Sequence, residues 1–515
     1  MALPAELLQR IQVAKNDRAK HQSAINDFLR LADPVRPRIG DTGLTVRSDE
    51  ADDLYDAMFQ EVAEDFASDV LHRAMPRASD WVKYEPEDVL PEEVQTVLKD
   101  PLAKRTKAIF SAVRQSNYYS EAGAEWAFDL GHGTAALTCN DYGAGQPLCF
   151  EAVGPHQLLI ERGAKGQLSL KGREFQMPLE EAMAQWPGGN FSAKLRREAT
   201  QKSNKRRMVT CLEVATRIYD AGDEKWQWRV AVDDHIIVDI ELTGRGSCPI
   251  IVTRWRSIST TAWGVGPLRK AIADAKSLDQ VAYLRLKNLG RQVDPPMFYD
   301  DDGVLNPEGG LGPGQAIPRL PGSKVDFMEA GQIELAYYEG GQLGDNIRRA
   351  GFQSGPRQEG LTPPTAFQWR EQQQEEGRRL EQPTGKLYEE GVIAILDRVE
   401  FLLTKRGDID PIVAAGKQSV KVRPLNPLAK QQEGENLTNA ANLLNIARST
   451  FDPQTLAATV DMGATFENMK RAADDEIIVI RSKDQREEMM RGVLGQPGMA
   501  PGLETAPAGS QAPAA

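Results

Sequence analysis

Apolar residues recur at helical spacing over the first thirty positions. Leu7, Leu8, Ile11, Ile25, Phe28 and Leu29 share one side of residues 5–31. Asp33-Pro34 and Pro37 end that helix, because proline lacks the amide and disfavours a helical residue before it. The spacing predicts a second helix from Ser48, with Ser48 and Asp49 as N-cap, in which Leu54, Met58, Val62, Phe66 and Val70 recur every four residues. Residues 93–138 read as further helix, broken at Asn117-Tyr118-Tyr119 and resumed from Glu121 to Leu130. From about residue 147 the pattern changes. Short β-rich runs at 148–153, 157–161, 167–175, 209–219, 226–242 and 249–254 are separated by turns such as Ala221-Gly222-Asp223. Helices on either side of an antiparallel β-rich segment make the expected fold class α+β.

The cleanest amphipathic pattern spans 267–291. Pro267 suits a first helical turn, and Leu268, Ile272, Ala275, Ala282, Leu286 and Leu289 form one stripe. Arg269, Lys276, Lys287 and Arg291 line another side. Residues 294–322 then carry twelve Gly or Pro, which excludes regular helix, and Asp294, Asp300, Asp301, Asp302 and Glu308 make the segment acidic. Asp300-Asp301-Asp302-Gly303 lacks the spacing and distal Glu of a calcium loop and reads as a turn. A poorer helix follows at about 329–350, with Ile333, Leu343 and Ile347 on its apolar side. Gly331, Gly340, Gly341 and Gly344 each weaken it by up to ~1 kcal/mol relative to Ala, so it needs packing partners. The same small residues let backbones approach closely. Residues 351–365 read as a loop, with Arg348, Arg349 and Arg357 beside or within it. A long helix rich in Glu, Gln and Arg runs from Thr365 to about Arg406, kinked at Pro383-Thr384-Gly385. Helices are expected at 427–450 and 454–492, and a disordered Pro/Ala/Gly-rich tail from Gly495.

Composition narrows the function. The 515 residues suggest roughly three domains, and 62 Lys+Arg against 74 Asp+Glu give a net charge of -12. That balance argues against a protein that coats nucleic acid, but not against one that lets a polyanion slide past. There is no apolar run of the ~18 residues a membrane span needs, and no signal-peptide pattern follows Met1, so a soluble protein of cytosolic origin is expected. Between Asp49 and Asp69 lie nine acidic residues and no basic ones, read as a solvated face. The basic run Lys194, Arg196, Arg197, Lys202, Lys205, Arg206 and Arg207 has no interleaved aromatics and reads as a solvated loop leading into a strand. Cys139, Cys149, Cys211 and Cys248 make no C-x-x-C pair and the five histidines no H-E-x-x-H, so no metal or other cofactor is expected. Leu380 stands where a P-loop ending at Gly385-Lys386 needs glycine, and Gly264-x-Gly266 lacks the third glycine of a dinucleotide site. No catalytic set is present.

Several local motifs follow one another along the chain: Leu54-Tyr55-Asp56 through Ala67-Ser68, Met75-Pro76 with Trp81, Ser116-Asn117-Tyr118-Tyr119, and Asp129-Leu130-Gly131-His132-Gly133-Thr134-Ala135. Then come Pro249 to Trp255, Trp263-Gly264-Val265-Gly266-Pro267, Val293-Asp294-Pro295-Pro296 and Pro427-Leu428-Ala429. In order and spacing, from about residue 25 to about 490, the chain resembles the portal, or head-to-tail connector, proteins of short-tailed bacteriophages. Trp263 departs from that family's usual tyrosine. The resemblance implies a mainly helical subunit with an antiparallel β-rich wing, a helical stem, an extended clip and a helical crown. Its boundaries would be 1–266 for N-terminal helices and wing, 267–291 and 329–350 for the stem helices, and 292–328 for the clip. A tunnel loop at 351–366, a kinked wing helix and connection at 367–426, a crown at 427–494 and a tail at 495–515 would complete it.

The resemblance further implies a structural protein rather than an enzyme: a homo-oligomeric ring, expected to be dodecameric, at one capsid vertex of the virion, made in the host cytoplasm. Double-stranded DNA would pass through it during packaging and ejection. Its partners would be the terminase large subunit, a tail adaptor or tail tube protein, the scaffolding protein and the major capsid protein. A head–tail adaptor or tail-ring protein without portal function, or a packaging-associated enzyme, are the alternatives. Arg348, Arg349 and Arg357 are candidates for contact with DNA in the channel. Lys276, Lys287 and Arg291 would face the channel or pair across subunits. Asp300, Asp301, Asp302, Glu308, Arg319 and Lys324 are the candidates for partner docking at the clip.

Overall fold

Helix α1 (Ala5–Ala32) starts after the extended Pro4 and stops where the Asp33 amide bonds back to the Leu29 carbonyl. The structure, a computed structural model, describes residues 3–41, 53–87, 90–143, 145–200, 206–219, 224–294, 297–300, 316–319, 333–353, 385–410, 420–425, 427–450 and 460–473. The chain divides into two compact units, Met1–Leu428 and Ala429–Ala515. In the first unit, Leu7, Ile11 and Ala14 of α1 pack with Leu159, Leu170 and Val214 of a sheet, while Ile25, Phe28 and Leu29 enter the main core. Helix α2 (Met58–Ala74) begins ten residues later than Ser48, the expected start. Asp56 meets its first turn, where the Met58 amide donates to Asp56 Oδ1 at 2.9 Å, while Ser48 and Asp49 lie outside the described residues. The four-residue recurrence holds inside the helix, where Val62, Phe66 and Val70 are buried.

Strand β1 (Val82–Pro86) and helix α3 (Glu92–Gln115) follow. The break expected at Asn117-Tyr118-Tyr119 is a π-helical turn over Tyr118–Ala122, leading into α4 (Gly123–Asp129). Tyr118 is fully buried there among Trp81, Tyr119 and Phe150. Residues 134–138 are not helical, as the sequence reading had them, but belong to strand β2 (Thr134–Asn140). Its residues are buried from Thr134 to Cys139, so neither side faces water and no alternation marks it as a strand. Strand β2 is central in a three-stranded antiparallel sheet, between β3 (Cys149–Ala152) and, after further elements, β9 (Ile250–Arg254).

Between these lie β4 (Leu158–Arg162), β5 (Leu168–Pro178), α5 (Leu179–Gln185), α6 (Ala193–Thr200), β6 (Met208–Ile218), β7 (Lys225–Val232) and β8 (His235–Thr243). The five strands form one antiparallel sheet in sequence order. The single expected run 226–242 is therefore a hairpin. Its turn residues Asp233 and Asp234 have φ of 45° and 64°, the left-handed pair that a two-residue hairpin turn requires.

Helix α7 (Ile272–Val293) is preceded by a 3-10 turn at Leu268–Ala271. Strands β10 (Met297–Asp300) and β11 (Ala316–Arg319) pair in parallel before α8 (Ile333–Ala350). A π-helical stretch at Tyr388–Ile393 runs into α9 (Ala394–Arg406), which Gly407 ends with a left-handed φ of 86°. Strand β12 (Val420–Pro424) returns to pair antiparallel with β1, which nothing in the local pattern announced. Helix α10 spans Pro427–Thr450. In the second unit α11 covers Met462–Ala473, inside the expected 454–492, of which 454–459 and 474–492 lie outside the described residues, and Asp461 Oδ1 accepts the Gly463 and Ala464 amides at its start. The expected kink at Pro383-Thr384, most of the loop after Gly351 and the C-terminal tail lie outside the described residues.

Candidate functional site

The α7–α8 helix pair is anchored by a backbone crossing that needs glycine. Gly264 and Gly266 run against Gly131 and Gly133: the Gly266 amide donates to the His132 carbonyl at 3.1 Å, and the Trp255 amide to the Gly133 carbonyl at 3.0 Å. A Cβ on Gly133 would sit 2.3 Å from the Gly266 nitrogen, and one on Gly266 2.1 Å from the Gly131 oxygen. So Trp263-Gly264-Val265-Gly266-Pro267 is a structural crossing that fixes where the chain enters α7. Trp263 is buried at its edge.

From there α7 and α8 run antiparallel. Gly351, just past α8, lies against Leu268 at one end, and Tyr337 packs under the Arg285 guanidinium, 3.8 Å from its ring centre, towards the other. Of the glycines that weaken α8, Gly344 is the one that lets it dock closely, and Gly351 just past the helix does the same. A Cβ on Gly344 would come within 2.8 Å of Met58 Sδ, and one on Gly351 within 2.5 Å of Val62 Cγ1, both on α2. Gln353 donates to the Val62 carbonyl at 3.0 Å. Asp279 holds α7 from the same side by accepting the Tyr55 amide at 2.7 Å and the Asp56 amide at 3.2 Å.

This docking covers only the near half of α7. Leu268, Ile272, Ala275 and Leu278 are buried, whereas Leu286, Leu289 and Val293 are 55, 51 and 77 % exposed. Leu278 takes a place in the stripe that the sequence reading had passed over. Tyr337 and Tyr338 on α8 are exposed as well.

The candidate cations divide accordingly. Arg348 and Arg349 are exposed in the last turn of α8, with no ion pair among the described residues. Lys276 is spent within the chain, on Asp27 of α1 at 2.7 Å. Lys287 reaches over the Tyr283 ring at 5.8 Å, and Tyr283 packs on Tyr55. Arg291 is half-buried, and its Nε has no partner among the described residues. Asp300 and Arg319 are register partners across the β10–β11 pair. Arg357, Asp301, Asp302, Glu308 and Lys324 lie outside the described residues. Among the described residues no group of His, Cys, Asp and Glu side chains comes together to hold a metal ion, and no helix is long and apolar enough to cross a membrane. The Cys139 and Cys211 thiols are pushed up to about 12 by burial, which keeps them protonated and unreactive.

The sequence pattern of the family described as bacteriophage head to tail connecting protein matches residues 4–474. The chain belongs to that family. A head-to-tail connecting protein is a structural part of the virion at the head–tail junction, not an enzyme, and the mixed helical and antiparallel fold accords with it. No curated protein matches this connector. Among solved structures, a chain of the virion of a native gene transfer agent particle is similar at 10% identity and TM-score 0.32, over 86% of this chain and 98% of that one. A chain from the neck of an empty gene transfer agent particle is similar at 12% identity and TM-score 0.30, over 78% and 88%.

The connector also holds a buried ion pair that sequence reasoning missed. Arg254 on β9 is 1% exposed and donates to Glu390 through Nε at 3.0 Å, while the Arg254 amide donates to the same carboxylate at 3.2 Å. Burial by itself would raise the Glu390 pKa, but the hydrogen bonds and charge of Arg254, with Lys386 beside them, hold it below its usual value. Gly391 next to it packs against Trp126 and Thr253. The three-stranded sheet thus fixes the start of α9. Arg254 and Glu390 are 136 residues apart, so only the fold pairs them.

Proposed function

We propose that this connector is a portal: copies form a ring, expected to be dodecameric, at one capsid vertex, and double-stranded DNA passes through during packaging and ejection. The observation that carries the reading is the antiparallel α7–α8 pair, bracketing the acidic Gly/Pro-rich segment 294–322, whose far half leaves Leu286, Leu289 and Val293 in water. One copy leaves half or more of each of those residues uncovered, and burying such side chains against neighbours in a ring is worth up to roughly 1.5–3 kcal/mol for each one fully buried. In this reading α7 and α8 are the stem, the segment between them is the clip, and α10 and α11 belong to the crown.

Arg348 and Arg349 support the channel role by their position: they are exposed, unpaired among the described residues, and stand where α8 gives way to the loop at 351–366. Phosphate contacts are strong and salt-dependent, so a net charge of -12 suits a wall that DNA must slide along. Lys276, already paired with Asp27, fits that role less well than Arg348 or Arg349. The clip would dock the terminase large subunit during packaging and a tail adaptor or tail tube protein afterwards. The scaffolding and major capsid proteins would hold the ring in its vertex.

Class averages of the purified full-length protein viewed down the particle axis test the reading. A closed ring of twelve subunits with a central opening is the expected result. A monomer at all concentrations overturns it.

A further inference from the structure

Two helices of the first unit expose charge that the same copy does not neutralise. Helix α6 is held by one buried side chain, Leu195, and presents Lys194, Arg196 and Arg197 to solvent, with Arg206 exposed just before β6. None of these four has an ion pair among the described residues, whereas their neighbour Arg207 is paired with Glu198 and Asp233. On α2, Glu61, Glu64 and Asp65 are exposed on one face, three and four residues apart, and are likewise without an ion pair among the described residues. Two acids of the five-stranded sheet, by contrast, are offset in place. Asp239 meets Arg229 and Glu241 meets Lys225.

We propose that the basic turn of α6 in one copy docks on the acidic face of α2 in the next copy around the ring. The inference rests on the ring reading and says which surfaces meet. A ring closed by rotation joins each copy to the next through two different surfaces, so it requires two unlike patches that complement one another. Opposite charge steers such patches together and fixes their register. Each is about one helical turn long, and closing the ring neutralises every one of them. A second copy is favoured over nucleic acid because residues 193–207 contain no aromatic side chain on which bases stack, and because a chain of net charge -12 repels a polyanion.

Two charge-reversed proteins test this, Glu61→Lys/Glu64→Lys/Asp65→Lys and Arg196→Glu/Arg197→Glu, with light scattering and negative-stain imaging as readouts. Each alone is expected to raise the concentration needed for half-assembly at least about tenfold, because like charges then face one another. Mixed in equal amounts they should restore rings, since every basic turn in an alternating ring again meets an acidic face. That rescue cannot come from misfolded variants. Rings that persist unchanged in either variant overturn the proposal and leave the ring reading intact, as does failure of the mixture to assemble. Normal rings with weakened duplex DNA binding in Arg196→Glu/Arg197→Glu overturn it in favour of a nucleic-acid occupant. A wild-type protein that never assembles instead overturns the ring reading itself.

Discussion

Gly133 has a φ of +121° and a backbone neighbour on its open side, so it bears both costs that a side chain can incur. A Gly133→Ala change should lower stability by about 3 kcal/mol, from left-handed backbone strain and from overpacking against Gly266, read as a fall in the urea midpoint. His132 beside it is a different test. Its ring is buried, with neither nitrogen hydrogen-bonded. Burial first, then the charges of Arg36 and Arg269, holds its pKa down to about 3. Asp129 lies 3.8 Å away but is engaged by Arg36 at 2.6 Å. The folded pKa is lowered, so the unfolded chain takes up a proton as pH falls below about 6.5 and the native state does not. Stability is then present above pH 6.5 and lost towards pH 3, at about 1.4 kcal/mol per pH unit from this one group. Replacing His132 by Leu should remove about one proton from that slope, and an unchanged slope would show the ring to be charged in the fold. Gly264 and Gly266 were visible in the sequence as a motif. Their purpose was not, because it depends on Gly131 and Gly133, about 130 residues earlier.

Among the helices, the amphipathic pattern of 267–291 was legible, but which part of its stripe one copy buries was not. Periodicity states that Leu268 and Leu289 share a face, whereas packing decides that Leu268 is covered and Leu289 is not. Likewise Gly344 reads as a weakness of 329–350 until Met58 appears against it. Strand β2 was missed because a run buried on both sides has no alternation, and β12 because its partner β1 lies more than 330 residues away. Two predictions belong to these elements. Changing Arg348 and Arg349 together to Ala should leave assembly intact, since both are exposed, and alter DNA packaging or retention, measured as DNA content per particle. Unchanged content means they do not meet DNA. Deleting 294–322 should abolish partner docking and spare the ring, and loss of the ring itself would contradict the clip assignment.

For the whole molecule, the net charge of -12 is distributed unevenly rather than spread as a coat. It is positive along α7 and α6, and negative along α2 and across 294–322. The exposed apolar half of α7 should matter only to assembly. Leu286→Glu with Leu289→Glu should change the stability of the isolated copy by no more than about 0.5 kcal/mol, as surface substitutions do, yet prevent ring formation. Sedimentation together with thermal unfolding separates the two effects, and rings that form normally would place the subunit contact elsewhere. The length suggested roughly three domains. The fold has two compact units, and in the first the three-stranded sheet is tied to the start of α9 by contacts such as Arg254–Glu390.

The sequence by itself determined the elements whose signal is local. These are the amphipathic helices, the turns that divide the β-rich segment, the acidic Gly/Pro-rich excursion between two helices, and the absence of any catalytic motif. Those depend on spacing over a few residues, where sterics and burial act within one element. The tertiary structure alone decided what joins distant positions: the glycine crossing at Gly131, Gly133, Gly264 and Gly266, the docking of α8 on α2, the pairing of β1 with β12, and the burial of Arg254 against Glu390. Such contacts are set by which surfaces the folded chain brings face to face, and one residue's immediate neighbours carry no record of them.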